Sequence, residues 1–192
     1  MNRLEEKIIS VGRVLEGNVL KVDCFLNHQI DIDMLRWIGE DFKRRFEGVK
    51  VDKILTIESS GIALASMTAL CFNVPVLFAK KTQSVNVGGN RLYSEVDSFT
   101  HKCRNRIFVS AEYLSRGEKV LIVDDFLATG SALEGLLDLV SQAGAEVAGI
   151  GIAIEKGFQD GGKKIRDKGY RLESLAVVED MDCRTGEIKF RR

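Results

Sequence analysis

The chain has little of several residue types that mark specialised proteins. Its 192 residues include one proline, one tryptophan and two histidines. The four cysteines, Cys24, Cys71, Cys103 and Cys183, are far apart and form no CxxC pair, whereas zinc sites and disulfide frameworks usually have closer spacing. We therefore expect reduced, mostly buried thiols in a cytoplasmic protein.

A surplus of positive charge and a long apolar run are also missing. Lys and Arg together number 28, as do Asp and Glu, so the net charge is zero. Surfaces that bind nucleic acids or membranes need positive charge to meet phosphates, so neither partner is expected. No apolar run approaches the ~20 residues that span a bilayer, and the N-terminus MNRLEEKIIS lacks the apolar centre of a signal peptide. A composition of 45% hydrophobic and 29% charged residues is typical of one soluble globular domain.

Helical and strand patterns alternate along most of the chain. Helices are predicted over 2–15, from Asp31 or Asp33 to Gly48, and over 62–72, 131–142 and part of 159–168. The second of these helices has an apolar stripe of Leu35, Ile38, Phe42 and Phe46. Strands are predicted over 53–57, 76–80, 106–110, 120–125, 146–156, 170–180 and 187–190, and a long loop with some β-structure over 81–105. This alternation predicts an α/β fold with a mostly parallel, doubly wound sheet flanked by helices.

The segment from Val120 to Ala132, VLIVDDFLATGSA, combines three features of a ligand site. Its apolar start predicts a strand buried on both faces, with Asp124 and Asp125 at the carboxyl end, where open α/β sheets bind ligands. The loop 128–132 consists of small and hydroxyl residues and leads into a helix, whose free N–H groups favour an anion. A phosphate at the loop and a diol at the carboxylates together describe a phosphorylated ribose.

The structural alternative is an ordinary strand end followed by a capped helix. Two adjacent acids at the end of an apolar strand would be costly in a purely structural role, so we favour a binding site. The loop is neither a Walker A loop nor a dinucleotide fingerprint, because both GK[ST] and GxGxxG are absent from it.

This segment resembles the signature with which type I phosphoribosyltransferases bind 5-phosphoribosyl 1-pyrophosphate (PRPP). The stretches KVDCFLNHQID, TIESSGIA and GIGIAIEKGFQ are also similar to those of bacterial xanthine phosphoribosyltransferases, and the likeness covers residues 1–190. Phe126 departs from the general signature, although an aromatic residue at this position is normal in the xanthine group. The resemblance implies a single phosphoribosyltransferase domain over 1–192, with a hood formed by about 1–35 and the C-terminal strands and a mobile lid over about 81–105.

The resemblance assigns roles at the PRPP site. Asp124 and Asp125 would be the catalytic residues that hold the ribose hydroxyls, and Mg²⁺ would be bound through PRPP, with no protein ligand certain. The implied PRPP-binding residues are Ser59, Ser60, Gly61, Lys80, Lys81, Ala128, Thr129, Gly130, Ser131 and Ala132. Without the resemblance, Glu58 to Gly61 could equally be a plain turn, and a solvated strand end would be the better interpretation of the two lysines.

The resemblance also assigns the base site. Leu20, Asn27 and Lys156 would contact xanthine. From the sequence alone, Leu20 would be a core residue and Asn27 a turn residue. Lys156 would be a surface lysine in most proteins, but we favour a functional role because it ends a core strand at the ligand-binding edge. Phe158 is either a stacking partner of the base or a core residue. His28 and His101 are interpreted as structural.

The implied activity is transfer of the 5-phosphoribosyl group of PRPP to xanthine, which gives xanthosine 5′-monophosphate and pyrophosphate in purine salvage. The family also suggests a homodimer. Two alternatives stay open: an enzyme for hypoxanthine, guanine or adenine, and a non-catalytic regulator that senses PRPP on the same fold.

Overall fold

A computed structural model describes residues 1–81, 89–97 and 104–192; the side chains of residues 97, 104 and 105 are not described. The helices are α1 (Arg3–Val11), α2 (Ile32–Arg45), α3 (Gly61–Phe72), α4 (Ser131–Gln142) and α5 (Gly161–Asp167). The strands are β1 (Arg13–Leu15), β2 (Val19–Lys21), β3 (Lys53–Ile57), β4 (Val76–Ala79), β5 (Arg91–Asp97), β6 (Arg104–Ser110), β7 (Lys119–Leu127), β8 (Glu146–Lys156), β9 (Leu172–Met181) and β10 (Ile188–Phe190). A π-helical turn covers Asp23–Asn27 and a 3₁₀ turn covers Ala111–Tyr113.

The central sheet has six strands in the order β10-β9-β8-β7-β3-β4. The five strands from β9 to β4 are parallel, and β10 pairs antiparallel with β9 at one edge. The predicted α/β fold with a mostly parallel, doubly wound sheet is therefore confirmed. The carboxyl ends of β3, β7 and β8 meet at one edge, which brings distant parts of the sequence together.

Two apolar clusters lie on opposite faces of the sheet. One contains the stripe of α2, which is buried as predicted, together with Ile54 and Leu121. The other contains apolar residues of α4, together with Leu55 and Ile122. Adjacent residues of β3 and β7 thus belong to different clusters, because successive side chains of a strand point to opposite faces. Helices on both sides explain why these strands are nearly continuous apolar runs.

The N-terminal prediction was wrong in part. Helix α1 ends at Val11 rather than at residue 15, and residues 13–21 form a hairpin of β1 and β2. The three-residue loop of the hairpin contains Gly17 and Asn18, both with positive φ, a conformation that glycine and asparagine adopt most readily. Apolar spacing up to Leu15 imitated a helix, but Leu15 is exposed.

The region 81–105 was predicted as a long loop with some β-structure. Its described part contains β5, which pairs antiparallel with β6 over seven residues, and β6 begins earlier than the predicted strand 106–110. Residues 82–88 and 98–103, which include His101 and Cys103, lie outside the described residues.

Two further findings concern the surface. The prediction of mostly buried cysteines was wrong for the described thiols, because Cys24 and Cys183 are exposed and Cys71 is half-buried. Within the described residues, no helix combines the length and apolar character needed to cross a membrane.

Candidate active site

The two adjacent acids of β7 form the centre of the site. Asp124 and Asp125 are both buried and lie in the second half of β7 rather than beyond its end. The backbone N–H of Asp125 donates to Oδ1 of Asp124 over 3.0 Å. Neither acid has an ion pair among the described residues. Two carboxylates held side by side without a paired cation are a costly arrangement, which indicates a ligand that supplies hydroxyls or positive charge.

Burial raises the pKa of Asp124 well above its ordinary value, and the negative charge of Asp125 raises this pKa further. The positive charge of Lys81 acts in the opposite direction. Asp124 therefore holds a proton over part of the range in which an exposed aspartate is ionised. In that form it is able to donate to a hydroxyl as well as accept.

The loop after β7 forms a small cavity next to these acids. Residues 128–132 line a cavity of about 170 Å³ together with Asp124, Phe126 and Ile152. Gly130, at the N-cap of α4, has φ of 89°, and no side chain caps the helix there. The first N–H groups of α4 thus remain oriented toward the loop, where an anion is favoured. The structure places all five predicted phosphate-loop residues around this one cavity.

The segment after β3 reaches the same edge of the sheet. The N–H of Glu58 donates to the carbonyl of Ala79 over 3.0 Å, and the N–H of Lys81 donates to Oε1 of Glu58 over 2.6 Å. The peptide bond between Glu58 and Ser59 is cis. The contacts of Glu58 place the loop 58–61 beside the end of β4 and beside Lys81.

Gly61, the first residue of α3, lies against the acids. A Cβ atom at this position would be 2.1 Å from Oγ1 of Thr56 and 2.8 Å from Oδ1 of Asp124. Only a residue without a side chain fits between these two oxygens. Gly61 therefore links the loop after β3 to the acids of β7.

Thr56 is a site residue that sequence analysis missed. Its hydroxyl is fully buried, and no hydrogen-bond partner for Oγ1 is found in the described part of the chain. An unpaired buried hydroxyl costs free energy in a structural role. The available signal was that Thr56 is the only uncharged polar residue in the strand KILTI, whose other residues after Lys53 are apolar.

Asn27 joins the N-terminal region to the acids. It ends the π-helical turn, and its side-chain amide Nδ2 donates to Oδ2 of Asp125 over 3.2 Å. Single π-helical turns are rare and occur frequently at functional sites. The neighbouring apolar residues Phe25 and Leu26 are buried in the first cluster, which anchors this turn against the sheet.

Lys156 makes a second link to the N-terminal region. Its ammonium Nζ donates to the backbone carbonyl of Asn18 in the β1–β2 loop over 2.8 Å, and it lies 6.0 Å from the centre of the Phe126 ring. Burial lowers the pKa of Lys156. Its side chain therefore lies between β7 and the N-terminal hairpin, at the carboxyl edge of the sheet.

Three other predicted residues lie in different surroundings. Leu20 is buried in the first apolar cluster, two residues after Asn18. Lys80 pairs with Phe108 through the backbone and lines a groove with Phe78 and Tyr113. Phe158 is partly exposed and lines a cavity with Glu155.

The remaining predicted residues are exposed or partly so. Ser59 is exposed and Ser60 half-buried in the loop after β3, and His28 is exposed.

The donor set at the acids suits a hard cation that is shared with a ligand. In the described residues there is no group of three or more His, Cys, Asp or Glu side chains that could hold a metal ion. Asp124 and Asp125 offer carboxylate oxygens, which Mg²⁺ prefers, and Mg²⁺ commonly takes its other ligands from water and substrate phosphates. The residues present therefore fit Mg²⁺ bound together with a phosphorylated substrate.

The chain also matches a protein-family model and known proteins over most of its length. The model of the phosphoribosyl transferase domain family matches residues 28–182. Xanthine phosphoribosyltransferase 1 of Clostridium perfringens is 56% identical over 183 residues, which is 95% of this chain and 96% of the relative. Xanthine phosphoribosyltransferase of Bifidobacterium adolescentis is 52% identical over the full length of both chains.

Solved structures agree on the fold. Adenine phosphoribosyltransferase of Thermoanaerobacter pseudethanolicus has a TM-score of 0.67 at 27% identity, covering 76% of this chain and 81% of that one. The Giardia lamblia enzyme in complex with 9-deazaadenine has a TM-score of 0.77 at 20% identity, covering 91% and 97%. With the family model matching most of the chain and full-length relatives above 50% identity, the protein belongs to the phosphoribosyltransferase family.

Proposed function

We propose that the protein transfers the 5-phosphoribosyl group of PRPP to xanthine, which yields xanthosine 5′-monophosphate and pyrophosphate. The contact between Asn27 and Asp125 is the observation that carries this proposal. The new bond joins the base to the anomeric carbon of the ribose, so a residue that binds the base must lie beside a residue that binds the ribose. The relatives named xanthine phosphoribosyltransferase support the choice of base.

PRPP would extend along the carboxyl edge of the sheet. The loop 128–132 would bind the 5′-phosphate through the N–H groups of α4, and Asp124 and Asp125 would bind the ribose hydroxyls. Ser59, Ser60 and Gly61 would bind pyrophosphate through their N–H groups, with positive charge from Lys81 and Lys80. The position of Lys81 next to Glu58 supports its part in this site, and Lys80 is the less directly supported of the two.

Mg²⁺ would be bound through PRPP, beside the carboxylates of Asp124 and Asp125. When bound, it supplies positive charge to the leaving pyrophosphate.

Xanthine would bind between Lys156, Asn27 and Leu20. An ammonium group only donates hydrogen bonds, so Lys156 suits the 6-oxo group of xanthine and does not suit the 6-amino group of adenine. In the structure Lys156 donates to the carbonyl oxygen of Asn18, which is the same type of acceptor as a 6-oxo group. Asn27 has both a donor and an acceptor, and Leu20 supplies apolar surface.

The protein's main contribution to the reaction would be positioning. The bond between the anomeric carbon and pyrophosphate loosens toward an oxocarbenium-like state, and a purine nitrogen bonds from the opposite face. Holding both substrates in line converts a bimolecular step into an effectively unimolecular one, which removes a large part of the barrier. The buried acids and the loop 58–61 would stabilise the charge that develops.

The domain organisation and assembly belong to the same proposal. The whole chain would be one phosphoribosyltransferase domain, in which about 1–35 and the C-terminal strands form a hood over the base and about 81–105 a lid. The hydrogen bond from Asn2 in the N-terminal region to the carbonyl of Leu175 in β9 supports this hood. A cytoplasmic homodimer is the expected form.

A spectrophotometric assay with PRPP, Mg²⁺ and each purine base in turn tests this function. The expected result is a much higher kcat/KM with xanthine than with hypoxanthine, guanine or adenine. A preference for another base would overturn the proposed specificity and leave a phosphoribosyltransferase. Binding of PRPP without pyrophosphate release for any base would instead support the regulator.

A further inference from the structure

Near the end of β8, the buried carboxylate of Glu155 pairs with the partly exposed side chain of Arg166. Glu155 is only 2% exposed, and its two carboxylate oxygens accept hydrogen bonds of 2.8 and 2.7 Å from the two terminal nitrogens of Arg166 in α5. The hydroxyl of Ser174 in β9 donates to the same carboxylate over 2.5 Å. Although burial opposes ionisation, these hydrogen bonds lower the pKa of Glu155. Such two-point pairs fix geometry as well as charge.

Two consecutive glycines fill the space between this pair and the loop 128–132. A Cβ atom at Gly162 would be 1.9 Å from Oε1 of Glu155. A Cβ atom at Gly161 would be 2.3 Å from the carbonyl oxygen of Ala128 and 2.8 Å from the backbone nitrogen of Gly130. Gly161 also donates its N–H to the carbonyl of Ala128 over 3.1 Å. The start of α5 therefore packs by its backbone against the backbone of the loop.

We propose that Glu155, Arg166 and the Gly161–Gly162 pair form a brace that holds the loop 128–132 in its phosphate-binding conformation. The inference rests on the proposed function, since it assigns positioning residues to the PRPP half of that site. Arg166 fixes α5 to β8 through Glu155, and Gly161 transmits this position to Ala128 and Gly130. None of these brace residues needs to contact a substrate.

The chain order gives the brace a second consequence. Glu155 binds Arg166 of α5. The next residue, Lys156, donates to the carbonyl oxygen of Asn18 in the N-terminal hairpin. The end of β8 thus supports the two proposed substrate sites through adjacent residues. A defect in the brace should weaken PRPP binding and leave xanthine binding largely intact.

Steady-state kinetics of Gly161→Ala test the brace. The added Cβ must displace the backbone of Ala128 and Gly130, so we expect the KM for PRPP to rise tenfold or more with little change in the KM for xanthine. Gly39→Ala is the matched control, because its Cβ would be 2.9 Å from the backbone carbonyl of Met67 between α2 and α3. That control should lower the melting temperature and leave the KM for PRPP unchanged.

Two milder variants keep the test decisive if Gly161→Ala fails to fold. Glu155→Gln removes one charge of the pair, and Arg166→Lys keeps the charge but loses the two-point geometry. Both should raise the KM for PRPP selectively, by less than Gly161→Ala. An unchanged KM for PRPP in a folded Gly161→Ala, or in both milder variants, overturns the brace, as does an equal rise in the two KM values.

The failure of the proposed function would look different. If the wild-type protein released no pyrophosphate with any purine base, that function would be wrong. Calorimetric titration with PRPP would then decide the brace separately: weaker binding by Gly161→Ala than by wild type supports it, and equal binding overturns it.

Discussion

The segment from Val120 to Ala132 and the N-terminal region of residues 1–35 contribute to the same site in different ways. The segment from Val120 to Ala132 contains a strand, two acids and a phosphate loop in one continuous stretch. The second reaches the site through isolated contacts, Asn27 with Asp125 and Asn18 with Lys156. These partners are 98 and 138 residues apart in sequence.

This difference separates binding of the ribose phosphate from selection of the base. Binding of the ribose phosphate needs a strand end and a helix start, which local sequence provides. Selection of the base needs side chains from separate elements to meet, which packing alone provides. Changes in the continuous segment should therefore abolish the reaction, and changes at the isolated contacts should alter affinity.

The largest effect is expected for the double change Asp124→Asn with Asp125→Asn. Removing both carboxylates from the ribose site should lower kcat/KM on the order of a hundredfold or more. Turnover with PRPP and xanthine is the measurement, and Asp138→Asn on the exposed face of α4 should leave it unchanged. Normal turnover in the double variant would mean that the site lies elsewhere.

Lys156→Met should have the next largest effect, and it should alter only the kinetic constants for xanthine. The methionine keeps much of the apolar stem and removes the ammonium, so a hydrogen bond from a charged donor is lost. The expected fall in kcat/KM for xanthine is roughly tenfold to a hundredfold, with the KM for PRPP nearly unchanged. Lys189→Met, at the exposed position of β10, provides the comparison. An equal rise in both KM values would show that Lys156 supports the whole edge rather than the base.

Asn27→Ala should produce a smaller and less selective effect. Because Asn27 donates to Asp125, its loss should raise the KM for xanthine and also that for PRPP, each by roughly threefold to tenfold. His28→Ala, at the exposed neighbouring position, should change neither value. If only the KM for xanthine rose, the contact with Asp125 would have no part in ribose binding.

Asp124→Asn alone should stabilise the fold while it weakens catalysis. The pKa of Asp124 is raised in the folded state, so the folded protein binds more protons than the unfolded chain between the two pKa values. Stability conferred by this site therefore falls as the pH rises through that window. At neutral pH the variant should gain about 1 kcal/mol in free energy of unfolding.

Urea denaturation at acidic and neutral pH measures that gain, which should be larger at neutral pH. Asp41→Asn should have the opposite effect, because Asp41 is buried but paired with Arg44 and Arg45. A loss of stability in both variants would show that Asp124 is stabilised by its surroundings.

The smallest effect concerns acid stability. The pKa of Glu155 is lowered in the folded state, so its stabilising contribution is present above the ordinary glutamate pKa and is lost as the pH falls through the lowered value. Glu155→Gln should therefore show a weaker dependence of melting temperature on pH in the acidic range. Melting curves over that range check this, and Glu187→Gln at an exposed position should retain the wild-type slope.

Sequence reasoning succeeded where local patterns decide structure. The strand KILTI, helix 131–142 and strand 146–156 were predicted with the observed bounds, and Asp31 does cap α2 by accepting from the N–H of Met34. It failed where local patterns compete. Apolar spacing in residues 2–15 imitated one helix, although the loop with Gly17 and Asn18 favours the hairpin.

By itself, the sequence determined the order of the central-sheet strands and of the helices between them, and the composition of the segment from Val120 to Ala132. Burial periodicity and helix starts are local properties. The tertiary structure alone decided that Asn27 meets Asp125, that Gly61 lies between Thr56 and Asp124, and that Gly161 packs on Ala128. Those contacts depend on which strands become neighbours in the sheet. Strand neighbours are selected by the burial of the whole core, and no single segment of the chain encodes that choice.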